Sequence, residues 1–418
     1  MKYPSRSEYC ISIRNPKFAF RKKDPLTKIE RDLDSALVSG KSVEKIKPSG
    51  IKELWSASGG YAIAFKYETF SPKKIWAIRC FYRANFDVKR HYQNALSHIK
   101  RSSCRSYFVD CSLLEEGIRV KGNCYPILKM EWVEGENIKK FIKANLGNKN
   151  KLKSLAERWR ELSQKLLGAG IAHGDLQHGN VLIANRSNQL SLKLIDYDSL
   201  YFDTALNAAY DSIKGFPDYQ HPLRKSLQKR CLEIDFFPQL VIYLSILALA
   251  EDRQLWETYK LDDREGLLFS STDFQNPHQA KIFYSLSTLP YPIPTLANKL
   301  KQICQLRDFR NIPSLDAVLC DGQSPGSNQT RRWQLIPAVN LKRNSSAQVK
   351  VRSQKPVRAQ SIQTSTHEPN TSSVESVVWD PRPYKAGYFQ SKTTHKRKLN
   401  LLTRIIRGLF SFLGKKSP

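Results

Sequence analysis

Between residues 50 and 136, short apolar segments alternate with breaks at Gly, Pro and Asn. The segments YAIAFKY, KIWAIRCFY and YPILKMEWV are rich in aromatic and β-branched residues. Short runs of this composition, bounded by turn-forming residues, are typical of β-strands. The pattern predicts a β-rich N-terminal part.

From about residue 151 the apolar residues recur at three- and four-residue spacing. The segment LKSLAERWRELSQKLLGAG follows this spacing and ends on glycines, as expected for an amphipathic helix with its C-terminal cap. The segment 236–250, FFPQLVIYLSILALA, is apolar on almost every face, and its length favours a buried core helix over a membrane span. The two halves predict an α+β protein with a small β-rich lobe and a larger helical lobe.

Composition also indicates where the domains begin and end. After about residue 322 the chain becomes poor in apolar residues and rich in Ser, Thr, Gln and Pro, which predicts disorder. The expected parts are an N-terminal extension (1–45), a folded domain (46–322, with lobes at about 46–132 and 133–322), a low-complexity linker (323–395) and a cationic amphipathic helix (396–418).

Half of the net charge of +30 lies in the C-terminal 88 residues of the chain. Residues 331–418 hold 18 Lys and Arg against 3 Asp and Glu, so this disordered, basic tail favours an anionic partner. Within KRKLNLLTRIIRGLFSFLGKK an apolar stripe runs along one helical face, formed by Leu402, Ile405, Ile406, Leu409 and Leu413. Such a helix suits the surface of an anionic membrane, or else a groove on this protein or a partner. Nucleic acid is a weaker third partner because the stripe is too apolar.

The cysteines and the N-terminus bear on the cellular compartment. The 8 cysteines form no C-x-x-C pair and no His/Cys cluster at metal-ligand spacing, which favours reduced thiols over a zinc site or a disulfide framework. The first residues, MKYPSRSEYC, contain no apolar signal region. We therefore expect a cytoplasmic protein, held peripherally at the inner face of the membrane if residues 396–418 bind lipid.

Candidate chemistry lies in residues 171–200, IAHGDLQHGNVLIANRSNQLSLKLIDYDSL. The segments VLIA and LKLID alternate as two strands of a hairpin, which would bring Asp196 back beside Asn180. The oxygens of Asn180 and Asp196 suit Mg²⁺, the cation that accompanies nucleotide phosphates. Asp175 is placed to orient or deprotonate an attacking hydroxyl.

These motifs resemble the protein-kinase superfamily, with similarity to divergent bacterial serine/threonine kinases. HGDLQHGN is similar to the catalytic loop H-R-D-x-x-x-x-N, and IDYD stands in the place of D-F-G. Further along, GFPDYQHP (215–222) resembles the end of the activation loop. The segment EIDFFPQLVIYLSILAL resembles the next buried helix, whose Asp holds the catalytic loop; that role falls on Asp235. The resemblance covers roughly residues 50–320 in the correct order and implies a two-lobed kinase-like fold.

The resemblance also implies roles for individual residues. Asp175 is expected as the base or positioning residue, and Asn180 and Asp196 as Mg²⁺ ligands. In MEWVEGENIKKFI (130–142), residues Glu131 to Val133 are expected to contact adenine through backbone groups. The implied cofactors are ATP and Mg²⁺.

The sequence departs from the family pattern in several places, among them Gly174, which stands where the family has an Arg, and two positions expected to serve the phosphates. The glycine loop reads ASGGYAIAF, so Gly59 and Gly60 are the glycines left to bring backbone amides towards phosphates. Arg79 in WAIRC replaces the expected Lys, and residues 88–109 contain no Asp or Glu to pair with it. Arg79 is still expected to serve the phosphates, with Lys66 or Lys129 as substitutes or as solvated strand residues.

Three functional hypotheses remain. The first is an ATP-dependent phosphotransferase, a divergent serine/threonine protein kinase acting on a protein substrate that the sequence does not identify. The second is a pseudokinase that acts as a membrane-associated scaffold, favoured by the departures at Arg79. The third is a small-molecule kinase, favoured by the HGD form of the catalytic loop. If the site is a weakened kinase, Arg79→Lys is expected to raise turnover. The sequence gives no indication of the oligomeric state.

Overall fold

The computed structural model describes residues 2–23, 26–27, 29–83, 87–186, 189–203 and 211–320. Within them a β-rich N-terminal part is followed by a helical C-terminal part, so the predicted α+β class is confirmed. The proposed linker at 323–395 and the amphipathic helix at 396–418 lie outside the described residues.

The N-terminal lobe is built on an antiparallel sheet of six strands. Five follow the order β3 (Lys41–Ser42), β7 (Ala62–Phe70), β8 (Lys73–Phe81), β10 (Asn123–Glu131) and β9 (Cys111–Val120), and β6 (Ser56–Ser58) also pairs with β7. The long strands β7, β8 and β10 coincide with the three apolar segments that the sequence pattern predicted to be strands. The elements of this lobe are α1 (Arg6–Ile13), α2 (Pro16–Ala19), β1 (Arg21–Lys23), β2 (Glu30–Asp32), α3 (Ser35–Val38), β3 (Lys41–Ser42), β4 (Glu44–Ile46), β5 (Lys52–Leu54), β6 (Ser56–Ser58), β7 (Ala62–Phe70), β8 (Lys73–Phe81), α4 (Val88–Arg101), β9 (Cys111–Val120) and β10 (Asn123–Glu131).

Both faces of this sheet are covered. Along β8, Ile78 and Cys80 face a core formed with the N-terminal extension, which buries Tyr9, Ile13 and Phe20 completely. Because successive strand residues point to opposite faces, Phe81 belongs to the other core, shared with helix α4 and the C-terminal lobe. The N-terminal extension is thus part of the folded lobe.

The C-terminal lobe is mainly helical. Its elements are β11 (Glu136–Asn137), α5 (Ile138–Ala144), α6 (Lys149–Gly168), β12 (Ile171–Ala172), β13 (Val181–Arg186), β14 (Gln189–Leu194), β15 (Tyr201–Phe202), α7 (Phe236–Glu251), α8 (Leu255–Thr258), α9 (Ser271–Gln275), α10 (Lys281–Ser287), α11 (Ile293–Cys304) and α12 (Leu315–Cys320). The N-cap of helix α6 is Asn148, whose side chain accepts a hydrogen bond from the Lys151 N–H, and the helix includes all but the last two residues of the predicted amphipathic segment.

Helix α7 lies in the centre of this lobe and packs against α6 and α11. The Trp159 indole of α6 donates a hydrogen bond to the carbonyl of Gln239 at 2.9 Å. Among the described residues, the segment Leu232–Glu251 is the one long and apolar enough to cross a membrane, and 72% of its most apolar window is buried in the protein. The prediction of a buried core helix is therefore confirmed.

Candidate active site

Asp235 anchors the loop that carries Asp175 through hydrogen bonds to the backbone of that loop. The Asp235 carboxylate, at the start of α7, accepts hydrogen bonds from the backbone N–H groups of His173 and of Gly174, the latter at 2.9 Å. Asp235 is buried, and these donors supply the partners that a buried carboxylate requires. The role expected for Asp235 is confirmed.

Gly174, which stands where the resemblance places an Arg, is required by the backbone. Its φ is +80°, and a Cβ atom there would lie 2.4 Å from the carbonyl oxygen of Ser199. A side chain at this position would meet both backbone strain and a steric clash. The loop that carries Asp175 and the segment after Asp196 therefore pack more closely than an Arg at position 174 would allow.

Asp175 and Asn180 contact each other directly. The Asn180 Nδ2 atom donates to the Asp175 carbonyl oxygen at 2.9 Å and to its Oδ2 atom at 3.3 Å. The other carboxylate oxygen, Oδ1, accepts from the Phe216 N–H at 2.9 Å. The G-F-P segment thus fixes the orientation of Asp175 from the side opposite Asn180.

Asp196 reaches the same place through the predicted hairpin, which is confirmed. Strands β13 and β14 pair from Val181 opposite Leu194 outwards; the tip of the turn, 187–188, lies outside the described residues. Just beyond the last pair, the Ile195 N–H donates to the Asn180 carbonyl at 3.0 Å. Asp196 follows with φ +66° and a side chain that is 38% exposed. Asp175, Asn180 and Asp196 are therefore brought together, as expected.

The environment of Asp175 favours its protonated form. Burial, and secondarily the negative charge of Asp196, raise the pKa of Asp175 to about 6. The hydrogen bonds from Phe216 and Asn180 act in the opposite direction. A carboxylate with a pKa near working pH is suited to accept a proton from a hydroxyl group.

Arg79 lies on β8, almost fully buried, and is surrounded by acceptors. Its guanidinium forms a bidentate ion pair with the Asp198 carboxylate, with Nη1 3.0 Å from Oδ1 and Nη2 2.6 Å from Oδ2. Nη2 also lies 2.9 Å from Asp196 Oδ1, and Nη1 donates to the Tyr92 hydroxyl at 2.7 Å. The Tyr92 hydroxyl in turn donates to Asp198 at 2.5 Å.

Sequence reasoning missed Asp198 and Tyr92. The acidic partner is absent from helix α4, as expected, but a carboxylate two residues after Asp196 takes its place. Burial opposes the charge on Arg79, yet the carboxylates of Asp196 and Asp198 raise the pKa of Arg79 well above its ordinary value. The signal that could have revealed this is the second Asp of IDYD, which stands where D-F-G has a glycine.

The segment that stands in place of the glycine loop, ASGGYAIAF, forms a tight hairpin between β6 and β7. The Gly59 N–H donates to the Ala62 carbonyl at 3.0 Å, so this amide is already used within the hairpin. The Gly59 carbonyl accepts from Arg6 of α1 at 3.3 Å and from the Tyr82 hydroxyl. Gly59 therefore offers no donor to a phosphate in this conformation, and Gly60 is the glycine left for that role.

Small residues line the sheet beside Arg79. Ala57 of β6 lies opposite Ala64 of β7, and Ala64 lies opposite Arg79 of β8. Residues paired across neighbouring strands share one face of a sheet. Ala57 and Ala64 are thus small residues on the same face of the sheet as the almost fully buried Arg79 side chain.

The two lysines considered as substitutes for Arg79 have other partners. Lys129 pairs in register with Ile78, on the face of the sheet opposite Arg79, and forms an ion pair with Asp34 at 2.7 Å. Lys66 forms an ion pair with Glu134 at 3.0 Å and lies 4.4 Å from the centre of the Trp132 ring. Arg79 remains the cation at the acidic cluster.

The expected adenine-binding segment connects the two lobes. Glu131 is the last residue of β10, and its N–H donates to the Asp110 carbonyl at 2.8 Å. Val133 follows two residues later and packs against the main core. Both residues lie at the junction of the lobes, where the resemblance places them. Between them, the Trp132 ring packs edge-to-face against Trp55, with 4.6 Å between the ring centroids.

A second buried charge cluster lies beside the loop that carries Asp175. Asp211 is fully buried and accepts from Arg224, while Lys214 Nζ and Arg230 Nε lie 3.1 and 3.5 Å from its carboxylate. Arg224 also donates to the Gly174 carbonyl at 3.2 Å. This network, which sequence reasoning also missed, ties the segment after 211 to the loop that carries Asp175.

The residues at the site fit a magnesium-bound nucleotide. The Nδ2 end of Asn180 is turned to Asp175, so its amide oxygen is the end that can face a cation. Mg²⁺ is usually held by one or two protein oxygens together with substrate phosphates. Asn180 and Asp196 satisfy that requirement, and Arg79 adds a positive charge beside them.

Comparison with known proteins gives a short, partial similarity. No family model matches the chain. A protein of Methanosarcina mazei is 40% identical over 81 residues, which is 19% of this chain and 12% of that protein. A protein of Methanosarcina acetivorans is 38% identical over 81 residues, with the same shares. Both are described as probable bifunctional tRNA threonylcarbamoyladenosine biosynthesis proteins.

The match covers only about an eighth of the length of these relatives. A stretch of this size is too short to characterise the rest of either protein. The similarity by itself therefore shows no family for this chain.

Proposed function

We propose that this chain is an ATP-dependent phosphotransferase that uses Mg²⁺, and that it is a divergent serine/threonine protein kinase. The observation that carries this proposal is the convergence of Asp175, Asn180 and Asp196. Two segments of the chain, the loop 173–180 and the residues just after β14, bring these side chains to one place, linked through the Asn180 amide and the Ile195–Asn180 backbone hydrogen bond. Protein kinases use this set of groups to position phosphates and an attacking hydroxyl.

In this proposal each residue has a defined task. Asp175 orients the substrate hydroxyl and accepts its proton, helped by a pKa of about 6. Asn180 and Asp196 hold the metal, which neutralises phosphate charge when it is bound. Arg79 contacts the phosphates, and backbone groups at Glu131 and Val133 contact adenine.

One contact favours the second candidate, a pseudokinase scaffold. The Nη2 atom of Arg79 lies 2.9 Å from Asp196, the carboxylate assigned to the metal. An arginine that neutralises this carboxylate competes with a cation for it. In that case the protein would act by binding partners at its surface, and the ion pairs of Arg79 with Asp196 and Asp198 would be purely structural.

The relatives do not identify the substrate. Their name concerns tRNA threonylcarbamoyladenosine biosynthesis, and the shared stretch is 19% of this chain. It is compatible with a phosphotransferase, whereas the choice of a protein over a small-molecule acceptor is our proposal. That choice rests on the GFPDYQHP segment, which lies against Asp175 through the Phe216 N–H.

Calorimetric titration of ATP into the full chain, with and without Mg²⁺, tests the proposal. We expect binding that requires the metal, followed by transfer of labelled phosphate to protein acceptors. Asp196→Asn is expected to abolish the metal dependence, because it removes the charged ligand while keeping the shape of the side chain. Undiminished affinity for Mg-ATP in this variant would exclude Asp196 as a ligand, and no binding by the wild type would favour the scaffold.

We further propose that residues 396–418 hold the protein on anionic lipid at the inner face of the membrane. The support is the sequence alone: an apolar stripe bracketed by basic residues. Sedimentation with anionic liposomes should recover the full chain and lose the variant that ends at residue 395. Equal recovery of the full chain and the shortened variant would show that residues 396–418 do not hold the protein on the membrane.

A further inference from the structure

The contacts of Arg79 raise the question of what holds this cation in place. In the resemblance, a phosphate-binding Lys is held by an acidic residue on the following helix, and here helix α4 carries none. The guanidinium is nevertheless bonded on both Nη atoms, and the partner that engages both is Asp198. Asp198 itself is buried, with a side chain only 5% exposed.

We propose that Asp198 is the positioning residue that holds Arg79 over the phosphates of the nucleotide. The inference rests on the proposed function and adds a residue that the family pattern does not assign. Asp198 lies two residues after Asp196, so the same short loop sets both the metal ligand and the phosphate-binding cation. Tyr92, on helix α4, supports the pair through its hydroxyl.

The geometry explains why the cation is an arginine. A guanidinium presents donors in a planar fork, so one group can span both oxygens of Asp198 and still reach Asp196. A lysine has a single nitrogen and cannot bridge two carboxylates in this way. With a metal held at Asp196, Nη2 would be free to exchange its contact with Asp196 for one with phosphate, and the ion pair with Asp198 would keep Arg79 in place.

Helix α4 has the minor part in this arrangement. Its contribution is the neutral phenol of Tyr92, at 2.7 Å from Arg79 and 2.5 Å from Asp198. A charged pair with two parallel hydrogen bonds is stronger than one hydrogen bond to a neutral hydroxyl. Loss of the hydroxyl should therefore leave Arg79 in place, whereas loss of the carboxylate should not.

The test compares the binding of Mg-ATP and of adenosine to the full chain carrying Asp198→Asn. Adenosine lacks the phosphates, so a general loss of structure weakens both ligands, and mispositioning of Arg79 weakens ATP alone. We expect roughly tenfold weaker ATP binding, the scale of one electrostatic contact, and adenosine binding within about twofold of wild type by the same reasoning. If Asp198 acted only by its negative charge, its removal would tighten ATP binding, and that result would overturn the proposal.

Two further variants make the test robust. Asp198→Glu keeps the charge but displaces the carboxylate, so ATP binding should weaken here as well; wild-type affinity would contradict a positioning role. Tyr92→Phe should have the smaller effect, and a loss as large as that of Asp198→Asn would move the role to helix α4. If the wild type binds neither ligand, the proposed function fails, and this inference fails with it.

The matched control is Asp34→Asn. It removes the charge of another partly buried carboxylate, which pairs with Lys129 at 2.7 Å on the opposite face of the sheet. Asparagine can still cap helix α3, where the Asp34 side chain accepts from the Leu37 N–H. Its ratio of ATP to adenosine affinity should equal that of the wild type, and thermal melting of all variants reports any loss of folding.

Discussion

At the scale of single residues, the structure gives Arg79 the acidic partners that the sequence did not reveal. From the sequence, an arginine without an acidic partner on the next helix predicts a weakened cation. In the structure it contacts Asp198, Asp196 and Tyr92. Removing one partner of a buried ion pair leaves an uncompensated charge and costs about 3–5 kcal/mol. Because Arg79 contacts three side chains, a substitution of any one of them affects the others.

This contact set reverses the direction expected for Arg79→Lys. A lysine cannot satisfy both oxygens of Asp198, so we expect roughly tenfold weaker Mg-ATP binding, on the scale of one lost charged contact, and lower turnover. Titration calorimetry and the rate of phosphate transfer measure the two quantities. A gain in turnover would restore the interpretation of a weakened kinase awaiting its lysine.

Asp175 predicts the pH dependence. Because its pKa is raised to about 6, the carboxylate that accepts the proton is lost as pH falls below that value. We expect kcat/KM to fall about tenfold per pH unit on the acid side, following the fraction of ionised base. A profile that stays flat down to pH 5 would remove Asp175 from the role of base.

The same pKa has a consequence for stability. A carboxyl group whose pKa is raised by folding favours the folded state at pH below its unfolded value, near 4, and this contribution is lost as pH rises through about 6. Asp175→Asn should therefore raise the free energy of unfolding at pH 7, on the order of 1–3 kcal/mol, and change it little at pH 4. Denaturant titration at both pH values checks the sign, and stabilisation of equal size at both would rule out this linkage.

At the scale of elements, the site depends on loops that touch closely. The predicted strands, the hairpin β13–β14 and helices α6 and α7 follow directly from apolar periodicity. The contacts between the loops do not, because they depend on chain segments far apart in sequence. Gly215 is an example, with φ +74° and a position for Cβ only 2.8 Å from Asp175 Oδ1.

Gly215→Ala tests this close approach. The added methyl group meets both positive φ and the Asp175 carboxylate, so we expect a loss of about 1–3 kcal/mol in stability and a large fall in turnover. Gly147→Ala is the matched control, because a Cβ there meets no atom within 4 Å. Turnover in Gly215→Ala equal to that of the control would show that the G-F-P segment does not position Asp175.

At the scale of the whole molecule, the N-terminal extension belongs to the folded domain. The sequence placed a boundary at residue 46, but α1 and α2 help to form the second core of the N-terminal lobe. Tyr9, Ile13 and Phe20 are fully buried there, and the Tyr9 hydroxyl donates to the Phe81 carbonyl at 2.8 Å. Arg6 adds a contact to the glycine hairpin.

A fragment that begins at residue 46 should therefore be unstable. Each buried side chain of this kind is worth about 1.5–3 kcal/mol, so losing several removes much of the 5–15 kcal/mol typical of a domain. We expect fragment 46–322 to be insoluble or to melt far below fragment 1–322. Equal melting temperatures would show that the extension only covers the sheet.

The sequence by itself determined the class of fold and the order of the elements, and its motifs, through their resemblance to a known family, singled out Asp175, Asn180, Asp196 and Asp235 as candidates. These features follow from local periodicity and from short motifs, which a single chain displays without its partners. Only the tertiary structure decided that Asp198 replaces the missing acidic residue, that Gly59 closes its own hairpin and that the extension covers the sheet. Each of these depends on contacts between distant segments, and contacts of that kind are set by packing and charge pairing after the elements have formed.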